Sequence, residues 1–445
     1  MTQAPATPRR ALRRHDREIV ALALPALGSL IAEPLFVMVD SAMVGHLGTS
    51  PLAGLSVASS LLTTAVSVFV FLAYATTAAV SRRVGAADLP AAIRQGMDGI
   101  WLAVLLGVLV IAAVLPTAPL IVGLLGASPT ATPFAVTYLR ISALGIPAML
   151  VVLAATGVLR GLQNTRTPLY VAIGGFSANA VLNLCLVYGA GLGIAGSAWG
   201  TVIAQCAMAA VYLSVVVRGA RRHGASLRPD VSGIRACARA GVPLLVRTLS
   251  LRAVLVIATS VAARLGDVDV AAHQVVLTLW SLLAFALDAI AIAGQAIIGR
   301  YLGAGDPEGA RAACRRMVQW GLLAGVVLGL LVVLARPLFI PVFTSDPAVR
   351  NALFLALLVV AVVQPVAGVV FILDGVLMGA GDGRYLAWAM IVTLAVFAPV
   401  ALAVPSLGGG LTALWGAMGL MMVTRMVTLW LRSRSGRWLV TGATR

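Results

Sequence analysis

Two short stretches of the sequence decide the fold. Residues 82–88 read Arg-Arg-Val-Gly-Ala-Ala-Asp, and residues 300–306 read Arg-Tyr-Leu-Gly-Ala-Gly-Asp. The shared residues lie 218 positions apart, and this offset holds without a gap over about 140 residues of each half. Six further pairs share the offset: Pro25 and Pro243, Pro119 and Pro337, Pro129 and Pro347, Pro147 and Pro365, Gly161 and Gly379, Arg166 and Arg384. A repeat of this length predicts two copies of one structural unit.

The composition predicts that this unit lies in a membrane. Of the 445 residues, 60% are hydrophobic and 11% are charged, and the mean hydropathy is +1.01. Apolar runs of about 20 residues or more recur along the chain, each long enough to cross a bilayer as a helix. These segments must be helical because lipid offers the backbone no hydrogen-bond partners. The first 17 residues are polar and Arg-rich, which predicts no cleavable signal peptide.

The net charge of +17 is carried by arginine alone, since the sequence contains no Lys. With the amino terminus assigned to the cytoplasm, most arginines fall in cytoplasmic segments, and only Arg264, Arg336 and Arg350 fall outside the membrane on the opposite side. This asymmetry follows the positive-inside rule and argues against a nucleic-acid partner. The four Cys and four His show no metal-ligand spacing, so we expect no disulfide, no metal centre and no cofactor besides a coupling ion.

The pattern predicts an all-α polytopic membrane protein with twelve transmembrane helices in two pseudo-symmetric six-helix lobes. The predicted spans are 18–45, 54–81, 93–115, 132–159, 168–190, 194–217, 235–263, 270–299, 313–334, 351–378, 385–404 and 409–431. Residues 1–217 form the amino-terminal lobe, residues 218–233 a cytoplasmic linker, and residues 234–445 the carboxy-terminal lobe. Each copy has an even number of spans, so the copies are parallel repeats and both termini are cytoplasmic.

One acidic residue breaks the repeat. Asp40 lies inside the first apolar segment, and the equivalent residue of the second copy is Ala258. A carboxylate inside a membrane span is energetically costly, so it usually has a function or a partner. Asp40 is therefore either a group that binds a proton or a cation, or a buried carboxylate that holds neighbouring helices together.

Four stretches carry a resemblance to a known family. They are Val39-Asp40-Ser41-Ala42-Met43-Val44-Gly45-His46-Leu47, Ala271-Ala272-His273-Gln274, Leu287-Asp288 with residues 299–306, and Leu373-Asp374-Gly375 with residues 378–380. Together they resemble the multidrug and toxic compound extrusion (MATE) transporters, and more narrowly the DNA-damage-inducible protein F branch. The resemblance covers nearly the whole chain. It implies two six-helix lobes around a central cleft, and export of organic, often cationic and amphipathic compounds driven by inward flow of Na⁺ or H⁺.

The resemblance also implies a cation site in the first copy. Asn179 and Asn183 lie four residues apart, hence on one helical face, and with Asp40 and Thr201 they resemble the amino-lobe cation site of the family. Members of the family often have a second Asp where this chain has Asn183. One carboxylate can hold either one proton or one Na⁺ with neutral oxygen ligands, and the missing negative charge favours H⁺. The alternative for the two Asn is interhelical hydrogen bonding alone.

Further residues of the first and seventh spans are candidates for coupling. Pro25 lies about four turns before Asp40 and permits a kink, although Pro243 occupies the same place in the second copy. Glu33 lies one heptad before Asp40, and Arg252 is a candidate partner for it across the cleft. The alternatives are that Glu33 and Arg252 each meet water or backbone separately, or that Glu33 attracts a cationic substrate.

Three charged residues of the second copy complete the candidate set for the cleft. Asp288 is predicted near mid-membrane, where it would handle substrate or protons, with Arg247 as its partner. Asp374 is predicted nearer the cytoplasmic end, bonded to loop backbone or to Arg384. The Arg, Gly and Asp of the two opening stretches are interpreted as structural, with Gly ending one helix and Asp capping the next.

These observations predict a cation-coupled antiporter that works by alternating access, with H⁺ favoured and Na⁺ open. Its expected partners are a small organic substrate and the lipid bilayer of a bacterial inner membrane, where it acts as a monomer. The first rival is a lipid-linked precursor flippase of the same superfamily. An enzyme is disfavoured because the sequence contains no Ser/His or paired-carboxylate motif, no metal spacing and no phosphate-binding loop.

Overall fold

The chain folds into α-helices. The structure, a computed structural model, describes the backbone of residues 8–444 and the side chains of residues 15–444 apart from Glu33. Within these residues there is no β-strand. In chain order the helices are α1 (Pro8–Gly45), α2 (Thr49–Phe69), α3 (Phe71–Gly85), α4 (Leu89–Leu124), α5 (Thr132–Ala143), α6 (Ile146–Gly161), α7 (Arg166–Asn183), a π-helical segment (Leu184–Gly189), α8 (Gly193–Arg222), α9 (Val231–Leu265), α10 (Asp267–Gly303), α11 (Pro307–Phe343), α12 (Pro347–Gly379), α13 (Gly383–Ala403) and α14 (Leu411–Arg434).

The described helices confirm the predicted polytopic architecture. Eleven helical segments among the described residues are long and apolar enough to cross a membrane. In this count α2 and α3 form one segment, and α7 forms one with the π-helical segment. The pair α5 and α6 makes a twelfth span, bent by 51° at the break. This break lies beside Pro147, where the missing backbone N–H allows a helix to bend.

The repeat is visible in where the helices begin. The offset of 218 relates the first residues of α2 and α10, of α4 and α11, and of α8 and α14. The residues before α2 and α10 are Gly48 and Gly266, with φ of 121° and 123°. Both copies therefore use a glycine where the backbone turns into the second span, since other residues rarely adopt such φ values.

The predicted helix caps are confirmed in both copies. α3 ends at Gly85, and Asp88 accepts a hydrogen bond from Ala91 N at 3.1 Å at the start of α4. In the second copy α10 ends at Gly303, and Asp306 accepts from Gly309 N at 2.7 Å. The carboxylate satisfies a backbone N–H that has no partner in the first helical turn.

The first copy is the more interrupted of the two. Val70 separates α2 from α3, whereas the equivalent helix α10 runs unbroken from Asp267 to Gly303. α7 passes into the π-helical segment immediately after Asn183, whereas α13 continues as an α-helix to Ala403. Local π-helix often marks a functional site, and here it begins at one of the predicted cation-site residues.

The chain divides into two compact units, one comprising residues 28–241 and the other residues 1–27 and 242–445. The start of α1 therefore belongs to the unit of the second copy, and the start of α9 to the unit of the first. Both changes of unit lie within three residues of Pro25 or Pro243. In the second-copy unit, Arg316 Nε donates to Asp16 Oδ1 at 2.6 Å, and Trp320 Nε1 donates to the same oxygen at 2.8 Å. In the first-copy unit, Arg94 pairs with Asp230 at 2.8 Å.

Candidate functional site

Asp40 lies near the end of α1, with 6% of its surface exposed. Its Oδ1 accepts one hydrogen bond from Asn183 Nδ2 and another from Ser197 Oγ, each at 2.7 Å. Both donors are uncharged, and both are fully buried. Within the described part of the chain, no Arg or His pairs with this carboxylate. The site therefore holds a carboxylate by hydrogen bonds alone, without a compensating positive charge.

The other two predicted cation-site residues lie along the same helices. Asn179 Nδ2 donates to Thr201 Oγ1 at 3.2 Å, and Thr201 Oγ1 donates to Ser197 O at 3.1 Å. Asn179 and Asn183 come from α7, and Ser197 and Thr201 from α8, so each helix contributes one residue pair at a spacing of one turn. The structure thus places all four predicted residues in one unit around α1, α7 and α8.

Two members of the site were missed by the sequence reasoning. Ser197 contacts Asp40 directly, and Tyr138 from α5, only 3% exposed, places its hydroxyl beside Asp40, Ser197 and Thr201. A signal for Ser197 was present, since it precedes Thr201 by one helical turn and so shares its face. No local pattern marks Tyr138, because its role depends on the packing of α5 against α8.

The amide oxygens of Asn179 and Asn183 are both buried and have no hydrogen-bond partner. A buried polar atom without a partner is costly, so such atoms usually meet a ligand, an ion or a water molecule. Carboxylate, amide and hydroxyl oxygens are hard ligands that suit a cation such as Na⁺. A proton needs only the carboxylate of Asp40 itself. The residues present therefore fit either coupling ion.

Close packing of backbone and side chains positions the site. A Cβ atom at Gly200 would overlap the side-chain oxygen of Asn183, so the glycine lets α8 approach α7. Tyr188 donates to Met43 O at 2.6 Å, which ties the π-helical segment to the end of α1. Phe36 stacks on Phe176 at 5.0 Å between ring centroids and fixes α1 against α7.

Tyr138, which lies beside Asp40, belongs to a buried apolar cluster. It contains Tyr138 together with Val44, Leu55, Ala58, Ala118, Val122, Ala135, Leu139, Ile194 and Ala198. Electrostatic interactions are stronger where water is excluded, so a change of charge on Asp40 acts strongly on its neighbours. This environment makes the protonation or ion occupancy of the site a large local perturbation.

A second buried carboxylate lies in the other unit and has different partners. Asp374 on α12 is 4% exposed and accepts from Arg247 Nε at 3.2 Å and from Arg425 Nη2 at 2.8 Å, with Arg247 Nη2 also in contact. The expected bond of Asp374 to loop backbone or Arg384 is wrong, because α9 and α14 bring two arginines to the carboxylate. Arg247, expected beside Asp288, thus forms an ion pair with Asp374.

The remaining candidates come from α1, α9 and α10. Asp288 is partly buried on α10 and interacts electrostatically with Arg425. Arg252 is partly buried on α9. Pro25 lies in α1 fifteen residues before Asp40, about 22 Å along a helix, and belongs to the other unit. The side chain of Glu33 lies outside the described residues, so its pairing with Arg252 stays a prediction.

Comparisons with known proteins agree with this architecture. The family model MatE matches residues 25–185 and again residues 243–403, once in each copy. Protein DETOXIFICATION 44, chloroplastic, of Arabidopsis thaliana is 33% identical over 95% of this chain and 83% of its own length. DNA damage-inducible protein F of Escherichia coli strain K12 is 31% identical over 96% of this chain and 95% of its own length.

Solved structures share the fold. A MATE transporter of Vibrio cholerae, crystallised in a bent form, superposes with a TM-score of 0.87 at 22% identity, covering 96% of this chain and 98% of the other. A MOP superfamily transporter from Pyrococcus furiosus superposes with a TM-score of 0.84 at 20% identity, covering 98% of both chains. At these identities the structural likeness shows the fold alone. The MatE family model matches both copies, and DNA damage-inducible protein F aligns with nearly the full length of this chain. This chain therefore belongs to the MATE family of multi-span membrane transporters.

Proposed function

We propose that the protein is an antiporter that exports organic cationic or amphipathic compounds in exchange for an inward-moving cation, with H⁺ favoured. The observation that carries the proposal is the carboxylate of Asp40, buried in a membrane span and held, among the described residues, by uncharged donors. A group in that environment can gain and lose a positive charge without breaking an ion pair. The names of relatives such as the probable multidrug resistance protein NorM of Thermotoga maritima support export of drug-like compounds.

The proton is favoured over Na⁺ because the site contains a single negative charge. Asn183 supplies an amide where a second carboxylate would strengthen Na⁺ binding, and Asn179 is likewise neutral. A proton needs only one carboxylate oxygen, which Asp40 alone supplies. Sodium would need several of the oxygens at once.

Coupling requires that the cation bind one conformation of the protein more tightly than another, because a ligand shifts an equilibrium only by its differential affinity. Alternating access supplies the two conformations, and Asp40 biases them through α1. We place the protein in a bacterial inner membrane with both termini in the cytoplasm, acting as a monomer, and assign it no nucleic-acid partner and no enzymatic activity.

The first test uses proteoliposomes loaded with ethidium, a fluorescent organic cation. A pH gradient and a Na⁺ gradient are imposed separately on the wild type and on Asp40→Asn. We expect dye movement driven by the pH gradient alone and lost in Asp40→Asn. Asp306→Asn is the matched control, because it removes an exposed carboxylate while Asn can still cap α11.

Three results would contradict parts of the proposal. Dye movement driven by Na⁺ alone would replace H⁺ by Na⁺ as the coupling ion at the same site. The absence of gradient-driven movement for any organic cation would remove the antiporter assignment. Retained pH-driven transport in Asp40→Asn would show that coupling resides elsewhere.

A further inference from the structure

One position near the start of α4 and α11 carries opposite charges in the two copies. Asp98 on α4 and Arg316 on α11 are related by the offset of 218, and each lies in the third turn of its helix. Both side chains contact the start of a helix that belongs to the other copy in sequence. Asp98 meets the start of α9, and Arg316 meets the start of α1. The inverted charge therefore coincides with a different bound segment.

Arg316 holds the start of α1 through a two-point ion pair. Its Nε donates to Asp16 Oδ1 at 2.6 Å, and its Nη2 donates to Oδ2 at 2.9 Å. Trp320 Nε1 donates to Oδ1 at 2.8 Å, and Arg300 Nη2 from α10 donates to Glu18 Oε2 at 3.1 Å. A bidentate pair between Arg and a carboxylate is specific in geometry as well as in charge. This surface of α10 and α11 thus fits a helix that presents carboxylates on one face.

Asp98 contacts the first turn of α9. It is buried, and a Cβ atom at Gly233 would overlap its Oδ2, so the glycine lets the helix start reach the carboxylate. Asp98 also meets the backbone of Asp230, the residue before α9, and Trp101 Nε1 donates to Leu227 O at 3.1 Å. The first turn of a helix presents N–H groups without intrahelical partners and the positive end of the helix dipole. This surface of α4 thus fits a helix amino terminus.

The two bound segments differ in the matching way. Where α9 has Gly233, α1 has His15, whose side chain would fill the space that the carboxylate uses. Where α1 has Asp16, α9 has Ile234, which offers a guanidinium no counter-charge. Each segment therefore suits one of the two surfaces and is mismatched with the other, and a mismatched partner is rejected by unpaired charge and steric overlap.

We propose that the inverted charge at Asp98 and Arg316 directs the start of α1 to the second-copy unit and the start of α9 to the first-copy unit. Both are positioning residues that hold the crossing segments in place. This inference goes beyond the proposed function, because it concerns how the chain assembles. It also gives α1 two attachments, since Asp40 is held by hydrogen bonds in one unit while Arg316 holds the start of the same helix in the other.

The test measures backbone hydrogen exchange in full-length protein reconstituted into lipid nanodiscs. We expect amides of residues 15–24 to exchange at least about tenfold faster in Arg316→Asp, because hydrogen bonds to charged groups are lost and the helix start is released. The charge-swapped double variant, Asp16→Arg with Arg316→Asp, should recover most of the protection. Arg311→Asp is the matched control, since Arg311 lies on the same helix but pairs with Glu308 of its own first turn at 2.9 Å.

Two further variants make the test independent of any general damage to the fold. Arg316→Gln removes the charge but keeps a donor, and it should accelerate exchange at residues 15–24 by less than Arg316→Asp does. Asp98→Arg should accelerate exchange in residues 231–240 and leave residues 15–24 protected, because each surface holds only its own segment.

Each outcome decides the inference. Unchanged exchange at residues 15–24 in Arg316→Asp, or a charge-swapped variant no better protected than that single variant, would overturn it. An equal loss of protection in Arg311→Asp would do the same. Dye transport is the second readout and rests on the proposed function; we expect it to fall in Arg316→Asp and to recover in the charge-swapped variant. If the wild type moves no dye, the proposed function fails, while the exchange rates still decide the role of Arg316.

Discussion

Asp40 and Asp374, two of the buried carboxylates among the described residues, occupy opposite electrostatic environments. Asp40 and Asp374 are 6% and 4% exposed, so burial does not distinguish them. Asp40 is held by an amide and a hydroxyl, whereas Asp374 is held by the guanidinium groups of Arg247 and Arg425. Two positive charges favour the ionised form of a carboxylate, and uncharged donors do so much less. The two ion pairs hold Asp374 as a charged structural group, and the contrast supports the proposal that Asp40 is the exchangeable carboxylate.

The repeat sharpens this comparison. The second copy offers the same helical frame at the position of the cation site, but Ala258 and Ala401 are fully buried there, and Trp415 occupies the place of Ser197. His273 packs against Trp415 with ring centroids 5.7 Å apart. The candidate cation site therefore has no counterpart at the equivalent positions of the second copy, which carry apolar and aromatic side chains.

The largest effect on stability is expected at Asp374. Asp374→Asn removes the carboxylate that Arg247 and Arg425 share, and breaking a buried ion pair costs about 3–5 kcal/mol. Asp40→Asn leaves no charge unpaired, and its cost is expected below about 1 kcal/mol. Thermal unfolding of both variants in detergent measures the difference. Equal melting temperatures would refute the contrast between a fixed and an exchangeable carboxylate.

A smaller effect is expected from Gly200→Ala. The added methyl overlaps the Asn183 side chain and forces it from Asp40, and overpacking of this kind costs about 1–3 kcal/mol. We expect pH-driven dye transport to fall at least about tenfold, since small displacements of functional groups are costly. Gly174→Ala in α7 is the control, because a Cβ there meets no atom within 4 Å. Equal transport by both variants would show that the Asn183–Asp40 contact is dispensable.

Asn183→Asp tests whether the missing second charge determines the coupling ion. The amide nitrogen of Asn183 lies 2.7 Å from Asp40 Oδ1, so two carboxylates at that distance would share one proton. We expect the pH profile of transport to move up by at least about one unit and Na⁺ to begin to drive dye movement. Transport assays with separate pH and Na⁺ gradients measure both. If a Na⁺ gradient still does not drive dye movement in the variant, the geometry of the site, and not its charge, excludes this ion.

The smallest effect concerns a turn that differs between the copies. Ala87 and Gly305 are equivalent residues, with φ of 59° and 73°. A Cβ in this left-handed region costs about 1 kcal/mol, and at Gly305 a Cβ meets no atom within 4 Å, so strain is the only penalty. We expect Gly305→Ala to lower the free energy of unfolding by about 1 kcal/mol. Ala87→Gly is expected to raise the free energy of unfolding, by less than about 1 kcal/mol. Thermal unfolding of both variants measures these changes. A melting temperature raised by Gly305→Ala would contradict this account.

Several features of the site could be predicted from the sequence because they depend on local spacing. Asn179 and Asn183 share a helical face, and Asp40 stands out because the repeat has Ala258 at its place. The prediction failed for Asp374, whose partners Arg247 and Arg425 lie 127 and 51 residues away along the chain. A regular helical period specifies which face a residue is on, but not which residue of another helix it meets.

The sequence by itself determined the two-copy architecture, the membrane spans, the helix caps and the identity of the odd carboxylate. These follow from composition, periodicity and the offset of 218, all of which are properties of the chain alone. Only the tertiary structure showed that Ser197 and Tyr138 adjoin Asp40, that two arginines hold Asp374, and that α1 and α9 each pass from one compact unit to the other. The physical reason is that rotation and register between packed helices depend on side-chain interlocking over many residues, which no local pattern records.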